Sequence, residues 1–428
     1  MTDQTRTPGG LREAHAHVGW HGRSLGMLRL GACASVEECL ERVRAESERL
    51  ASLGSAEWLM GIGVRVEGWR EARWPTIQEL DEATGGAGSR AAWLMSFDHH
   101  GLVANSAALA AAGFGNASAD PQGGVLVRDR HTGRLTGVCL EAAAGLVRAA
   151  APEPDVSERA GQVRAALADL ERLGFTQVHD LLSPPWLGPL LAQMHDAGEL
   201  RLGAGLFVPM ADLASAVAGA HAWARPGVEL LGGKVFVDGT LNSRTAWMLN
   251  DFADGLAGME RGTSLMTSPE IASALEQCWS KGYTLAAHAI GDGAVRACLD
   301  AAQHARAKGG RGGFRVEHCE LIDAADVPRF AELGVTASVQ PCHLLADIEA
   351  LQRGVPDRLA RVLPLRELID AGLVPGRSLL FGSDVPIVRA DPQDSVLAAT
   401  RRGRIGGSVI GAQQAITERE AWACFGPS

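Results

Sequence analysis

Lysine is scarce in this 428-residue chain. Of 40 basic residues only three are lysine (Lys234, Lys281 and Lys308); the rest are arginine. With a formal net charge of −10, the basic residues supply no excess that would mark a phosphate-binding surface, so nucleic acid is excluded as an expected partner. No apolar run approaches the roughly 18 residues that span a bilayer, and the opening stretch MTDQTRTPGG is polar, unlike the apolar core of a secretory signal. The eight cysteines are scattered, with no Cys-x-x-Cys pair, which argues against a disulfide framework and for free thiols in a reducing compartment. Glycine (52) and proline (19) follow no short period, so collagen-like and low-complexity chains are excluded. A soluble, cytoplasmic protein with no membrane partner is expected.

What is present is core material: 46% hydrophobic against 21% charged residues, a balance that excludes disorder. The length fits two to three domains of about 150 residues, or a barrel of about 250 with additions. Short apolar runs predict strands at residues 11–18 (LREAHAHV), 175–181, 202–208, 233–237, 284–288, 314–318, 335–340 and 378–382. Between them lie stretches of helical spacing, such as residues 156–173 and 269–281; the latter opens Ser268-Pro269-Glu270, a cap followed by proline in the first turn. Strand alternating with helix denotes a parallel sheet with helical crossovers, and eight strands is the count of a closed (β/α)8 barrel. The gap after the first strand is too long for a crossover. Residues from about 55 to about 150 are therefore read as an insertion within a single barrel domain spanning 1–428, with elements at 93–97 and 124–127, shaping the mouth of the site. No internal repeat suggests a solenoid.

The titratable residues gather at strand ends. His15 and His17 close the first strand, His179 and Asp180 the second; Lys234 lies within the fourth, His288 and His318 close the fifth and sixth, and Asp384 follows the eighth. In such a barrel the C-terminal strand ends converge on one mouth. Each residue has an ordinary alternative. His288 could be a hydrogen-bonded core histidine, His318 could pair with Glu317, and Asp384 could cap a turn. Their coincidence on several strands favours imidazoles and a carboxylate around an open metal position.

These residues resemble the metal-site pattern of the amidohydrolase superfamily, and in particular its family 3 branch, which includes N-substituted formamide deformylase. Further stretches carry the resemblance: Phe97-Asp98-His99-His100, Asn105-Ser106, Gly233-Lys234-Val235-Phe236-Val237-Asp238-Gly239, Ala287-His288-Ala289-Ile290-Gly291-Asp292, Arg315-Val316-Glu317-His318 and Phe381-Gly382-Ser383-Asp384-Val385-Pro386. The resemblance implies that His15 and His17 bind a buried divalent metal, zinc by family habit, together with Asp384. It implies that Lys234, carbamylated, bridges to a second ion held by His288 and His318. Asp384 would also move the proton from the metal-activated water to the leaving amine. Whether one ion or two is held is left open.

The sequence departs from the family in carrying Glu13 where Asp is usual, and in leaving little chain at either end for the flanking β-sandwich, which is expected to be missing; exposed barrel edges then make homo-oligomerisation an expectation. Substrate contacts are assigned to His100, Arg244 and His343, with a loop salt bridge as the alternative for Arg244 and an outer-shell or exposed position for Glu141. The function expected is metal-dependent hydrolysis of a C–N bond in a small molecule, of amide, N-acyl amine or formamide type. Deamination, a non-hydrolytic lyase or isomerase reaction on the same metals, or an inactive metal-binding scaffold are the alternatives. Lys234 sits in an apolar strand where a bare charge is costly. Its amine can react with carbon dioxide, whereas a guanidinium that stays charged cannot; a buried ion pair, for example with Asp238, is the other reading.

Overall fold

Eight apolar runs become eight strands of one sheet in the computed structural model of the protein, which describes residues 10–86, 90–97, 99–256 and 258–426. They are β1 (Leu11–Ala16), β2 (Phe175–Asp180), β3 (Gly203–Pro209), β4 (Val228–Phe236), β5 (Thr284–Ala289), β6 (Phe314–His318), β7 (Thr336–Val339) and β8 (Leu379–Phe381). Each pairs in parallel with the next in chain order. The ends meet through a parallel bridge between Ala16 and Val385, flanked by hydrogen bonds from His17 N to Val385 O (3.0 Å) and from Asp384 N to His15 O (2.7 Å). Helices cross between the strands, for example Ser268–Trp279 and Asp292–Ala307. This is the expected (β/α)8 barrel.

Element boundaries shift for local reasons. The first strand ends at Ala16, short of residue 18, because Val18 N donates to Asp180 Oδ2 (2.6 Å) and opens a helix, Val18–Leu25. The fourth begins at Val228, ahead of residue 233, pairing with β3 before a bulge between Leu230 and Gly232. The helix foreseen at 269–281 is capped by Thr267 and not by Ser268: Glu270 Oε2 accepts from Thr267 N (2.8 Å) and Thr267 Oγ1 (2.7 Å).

Side chains alternate across each strand, and the alternation divides apolar from polar. Val235, Leu285, Ala287, Phe314 and Val316 join the large core cluster of this unit. The intervening residues face the barrel interior, where Leu181, Phe207 and Ala286 form a small apolar cluster and Lys234, Arg315 and Glu317 are buried with charge-bearing side chains. A strand that reads Phe-Arg-Val-Glu-His thus places two apolar residues against helices and two charged ones inside.

The chain divides into two compact units. One combines the chain up to Gly22 with the chain from Ala160 onward and contains the barrel; the other is Arg23–Arg159. The single domain with an insertion at about 55–150 is thus resolved as two units, the second beginning before residue 55. Its first elements went unread because its opening strand has only two residues, Leu28–Arg29. The second unit holds a six-stranded mixed sheet over a core that includes Leu30, Val43, Leu59, Leu80, Leu94 and Val103. The strands expected at 93–97 and 124–127 are Ala92–Ser96 and Gly124–Arg128. Asn105 is fully committed to this unit: its Oδ1 accepts from Ala108 N and Ala92 N (3.0 Å each), and its Nδ2 donates to Thr84 Oγ1 and Arg90 O. Asp98 of the quoted stretch lies outside the described residues.

Candidate metal centre

The β1 and β8 ends are tied by Glu13. Its Oε1 accepts from His15 N and from Ser383 N, both at 2.9 Å, so the carboxylate aligns the histidine strand with the loop that carries Asp384. Gly382 makes room for this clamp, since a Cβ there would lie 2.5 Å from His15 N and 2.8 Å from Glu13 Oε1. Gly382→Ala is expected to destabilise the protein by about 1–3 kcal/mol, the usual cost of overpacking, read as a lower melting temperature; an unchanged melting curve would refute the clamp.

Five imidazoles surround the mouth. Ring centroids are 5.6 Å apart for His15 and His17, 4.9 Å for His15 and His318, 4.4 Å for His288 and His318, and 6.2 Å for His318 and His343. Strict alternation along β6 would send His318 outward with Phe314 and Val316. Instead its φ of 71°, followed by 50° at Cys319, breaks the strand geometry, and one of its ring nitrogens comes within 4.8 Å of a His15 nitrogen and an Asp384 carboxylate oxygen. Asp384 is also left-handed, with φ 62°. Such conformations are costly for residues with a Cβ and collect at functional sites.

Hydrogen bonds select which nitrogen each imidazole offers. His15 Nδ1 lies 2.8 Å from Glu317 Oε2, with the Gln340 amide 3.3 Å from the same nitrogen. Burial would raise the Glu317 carboxyl, but the Arg315 charge and the bond to His15 hold it well below the usual range. An ionised carboxylate only accepts, so His15 Nδ1 carries the proton and Nε2 keeps its lone pair. His288 Nε2 donates to Gly239 O (3.0 Å), leaving Nδ1 as its lone-pair atom. Burial, reinforced by the Lys234 charge, pushes His288 down to about 3; burial likewise takes His15 down to about 4 and His318 well below the ordinary histidine value. Neutral imidazoles are the form that binds a cation.

The buried polar atoms without a hydrogen-bond partner among the described residues include Lys234 Nζ, His318 Nδ1 and Asp384 Oδ1. Asp384 Oδ1 has His17 Nε2 at 2.9 Å and His15 Nε2 at 3.5 Å, yet neither ring aligns an N–H with it. Burial raises the Asp384 carboxyl, but the surrounding imidazoles, His15 and His17 foremost, hold it well below the carboxylate range. Orphaned buried groups are costly in a folded protein, and a set of lone pairs and an anion turned toward one another is satisfied by a divalent cation. Lys234, 3% exposed, is pushed down to about 8 by burial, against the attraction of Glu317 and Asp384. The ion pair with Asp238 is not made. Asp238 instead accepts from Ile290 N (3.0 Å), Gly291 N (2.8 Å) and Trp247 N (2.9 Å), bracing the loop after β5. The donor set fits the metal that the strand-end pattern implies.

The other candidates fall elsewhere. Arg244 donates to both oxygens of Asp254 (2.6 and 2.7 Å), to Leu241 O and to Ala350 O, the loop salt bridge given as its alternative. His343 Nε2 donates to Ser383 O (3.1 Å) and its Nδ1 faces Glu320 Oε1 at 3.7 Å, so both nitrogens face protein oxygens. Burial opposes its charge, but Glu320, Asp384 and Asp347 lift it to about 9. His100 belongs to the second unit, with Nδ1 2.9 Å from Glu141 Oε2, so Glu141 is its partner. His179 Nδ1 accepts from Arg315 (2.9 Å) and serves the barrel interior. Sequence reasoning missed Arg315 and Glu317 as the support of His15; the signal was two charged residues alternating through an apolar strand. Phe236, 41% exposed, stands beside His288 (centroids 5.3 Å) and under Lys234 Nζ (5.4 Å), giving the centre an apolar wall.

Residues 5–426 match the model of the Amidohydrolase family. YtcJ of Bacillus subtilis (strain 168) is 28% identical over 407 residues, covering 92% of this chain and 73% of that protein. N-substituted formamide deformylase of Arthrobacter pascens is 26% identical over 403 residues, 91% of this chain and 72% of that one. The crystal structure of an uncharacterized metal-dependent hydrolase from Pyrococcus horikoshii OT3 superposes with a TM-score of 0.75 at 24% identity, covering 96% of this chain and 78% of that one, a likeness of fold.

Proposed function

The chain belongs to the amidohydrolase family, in its family 3 branch, a metal-dependent hydrolase on that ground, and from this premise we propose that it hydrolyses a C–N bond of amide, N-acyl amine or formamide type in a small molecule. The observation that carries this reading is the convergence of orphaned ligand-type atoms, Lys234 Nζ, His318 Nδ1 and Asp384 Oδ1, beside the imidazoles of His17 and His288. In the reading, His15, His17 and Asp384 hold one divalent cation, and Lys234 as its carbamate, with His288 and His318, completes the set; zinc suits these nitrogen and oxygen donors. The cation supplies Lewis acidity, making water nucleophilic near neutral pH and polarising the scissile carbonyl.

The protein's own groups do the rest. Asp384, ionised and carrying an oxygen without a hydrogen bond, takes the proton of the attacking water at Oδ1. It then delivers that proton to the leaving nitrogen as the C–N bond breaks. Phe236 offers the substituent next to the scissile group an apolar surface. The deformylase resemblance makes N-substituted formamides the first compounds to assay.

The test is a hydrolysis screen of N-acyl amines, N-acyl amino acids and formamides, each with zinc, manganese or no added metal. Release of amine that depends on the metal and is abolished by chelation is expected. Metal-loaded protein that turns over none of these compounds would refute C–N hydrolysis; no helix of the described residues is long and apolar enough to cross a membrane.

A further inference from the structure

A second carboxylate decides what His15 can do, and it sits below the centre, not in it. Glu317 is buried in the barrel, with Oε2 2.8 Å from His15 Nδ1. Arg315, also buried, grips it from the side: Nε donates to Oε1 (2.9 Å) and Nη2 to Oε2 (3.2 Å). The same guanidinium donates to Ala14 O of β1 (2.8 Å), His179 Nδ1 of β2 (2.9 Å) and Ser338 Oγ of β7 (2.9 Å). One side chain thus fixes the carboxylate against three other strands, and the carboxylate in turn fixes a ring 302 positions away in sequence.

We propose that Glu317, pinned by Arg315, is a positioning residue that sets the tautomer and direction of His15 and thereby how tightly the centre holds its cation. The inference rests on the reading of His15 as a ligand given above. A neutral imidazole has one proton to place on two nitrogens. With an acceptor-only carboxylate at Nδ1, the proton stays there and the Nε2 lone pair faces Asp384 Oδ1, 3.5 Å away. Without that acceptor both tautomers become available, and the ring is free to turn about χ2. Outer-shell acceptors of this kind typically change metal affinity 10- to 100-fold. The rigid grip of Arg315 matters for the same reason: a carboxylate free to swing would not define the ring's direction.

The experiment measures zinc affinity of the full chain by competition with a chelator, beside the melting temperature of the metal-free protein. In Glu317→Gln, zinc binding is expected to weaken by about 10- to 100-fold. Lowered metal-free melting with wild-type zinc affinity would overturn the proposal, since it is what a purely structural Arg315–Glu317 pair predicts. If Glu317→Gln does not accumulate as folded protein, Glu317→Asp keeps the charge opposite Arg315 but withdraws the oxygen from His15; there too weakened zinc binding supports the proposal and wild-type affinity overturns it. Wild-type protein that binds no zinc would overturn the ligand reading and this inference together. Bound zinc without hydrolysis would overturn only the C–N reading.

Discussion

Lys234→Ala is expected to strip metal from the purified protein and abolish turnover. The argument begins with the burial of an amine that has no hydrogen-bond partner. An unpaired ammonium in an apolar interior costs several kcal/mol, and Lys234 is already pushed toward neutrality by burial, down to about 8. A neutral amine is nucleophilic toward carbon dioxide. In the proposed reading the carbamate would be an anion whose oxygens could serve as metal ligands beside His288 and His318. Removing it deletes a ligand and a negative charge at once, so the loss should exceed the ~100-fold reached by outer-shell changes. Elemental analysis after dialysis checks this: full zinc occupancy in Lys234→Ala would refute the bridging role. Lys234→Met separates ligation from packing. It fills the same space without the amine, so it should keep the metal-free melting temperature while losing metal.

Asp384→Asn is expected to lower kcat by about 10²–10⁴-fold, the usual weight of a positioned general base and acid, while at least one metal ion remains bound. The carboxamide matches the carboxylate in shape and keeps an oxygen for ligation, but it cannot accept and return a proton. Backbone placement should survive the change, because Asp384 N still donates to His15 O and Asp384 O still accepts from Ile387 N. Steady-state kinetics on whichever substrate the screen identifies, with metal content measured on the same sample, checks both halves. Undiminished kcat would remove Asp384 as the proton carrier; loss of all metal would make it a ligand first.

Much of the candidate centre could be proposed before any coordinates. His15, His17, His288 and Asp384 stood out because apolar runs mark strands and strand ends converge in a barrel. Lys234 stood out because an amine in such a run is anomalous. His318 was named with them as a strand-end residue, but how it reaches the mouth could not be read. His318 lies on the outward phase of its strand and reaches the mouth only through a left-handed φ, which nothing in Arg-Val-Glu-His specifies. Glu317 looked like a neighbour for His318, yet its partner is His15. Arg244 could be recognised as a fork for a carboxylate, but that carboxylate is Asp254. The second unit begins at Arg23, where a two-residue strand gives no periodicity to detect.

The sequence by itself determined the barrel, the family and the donor types at the strand ends. Each of these follows from local order: a period of two in the strands, helical spacing between them, and chemistry that travels with the residue. Tertiary structure alone decided which nitrogens of His15 and His288 are taken up by hydrogen bonds, that Glu317 is the carboxylate against His15, and that Lys234 stands without a hydrogen-bond partner among the described residues. Those outcomes depend on hydrogen bonds between residues hundreds of positions apart, such as His15 and Glu317, and on burial, which sets charge. Both arise only when the strands close into a barrel.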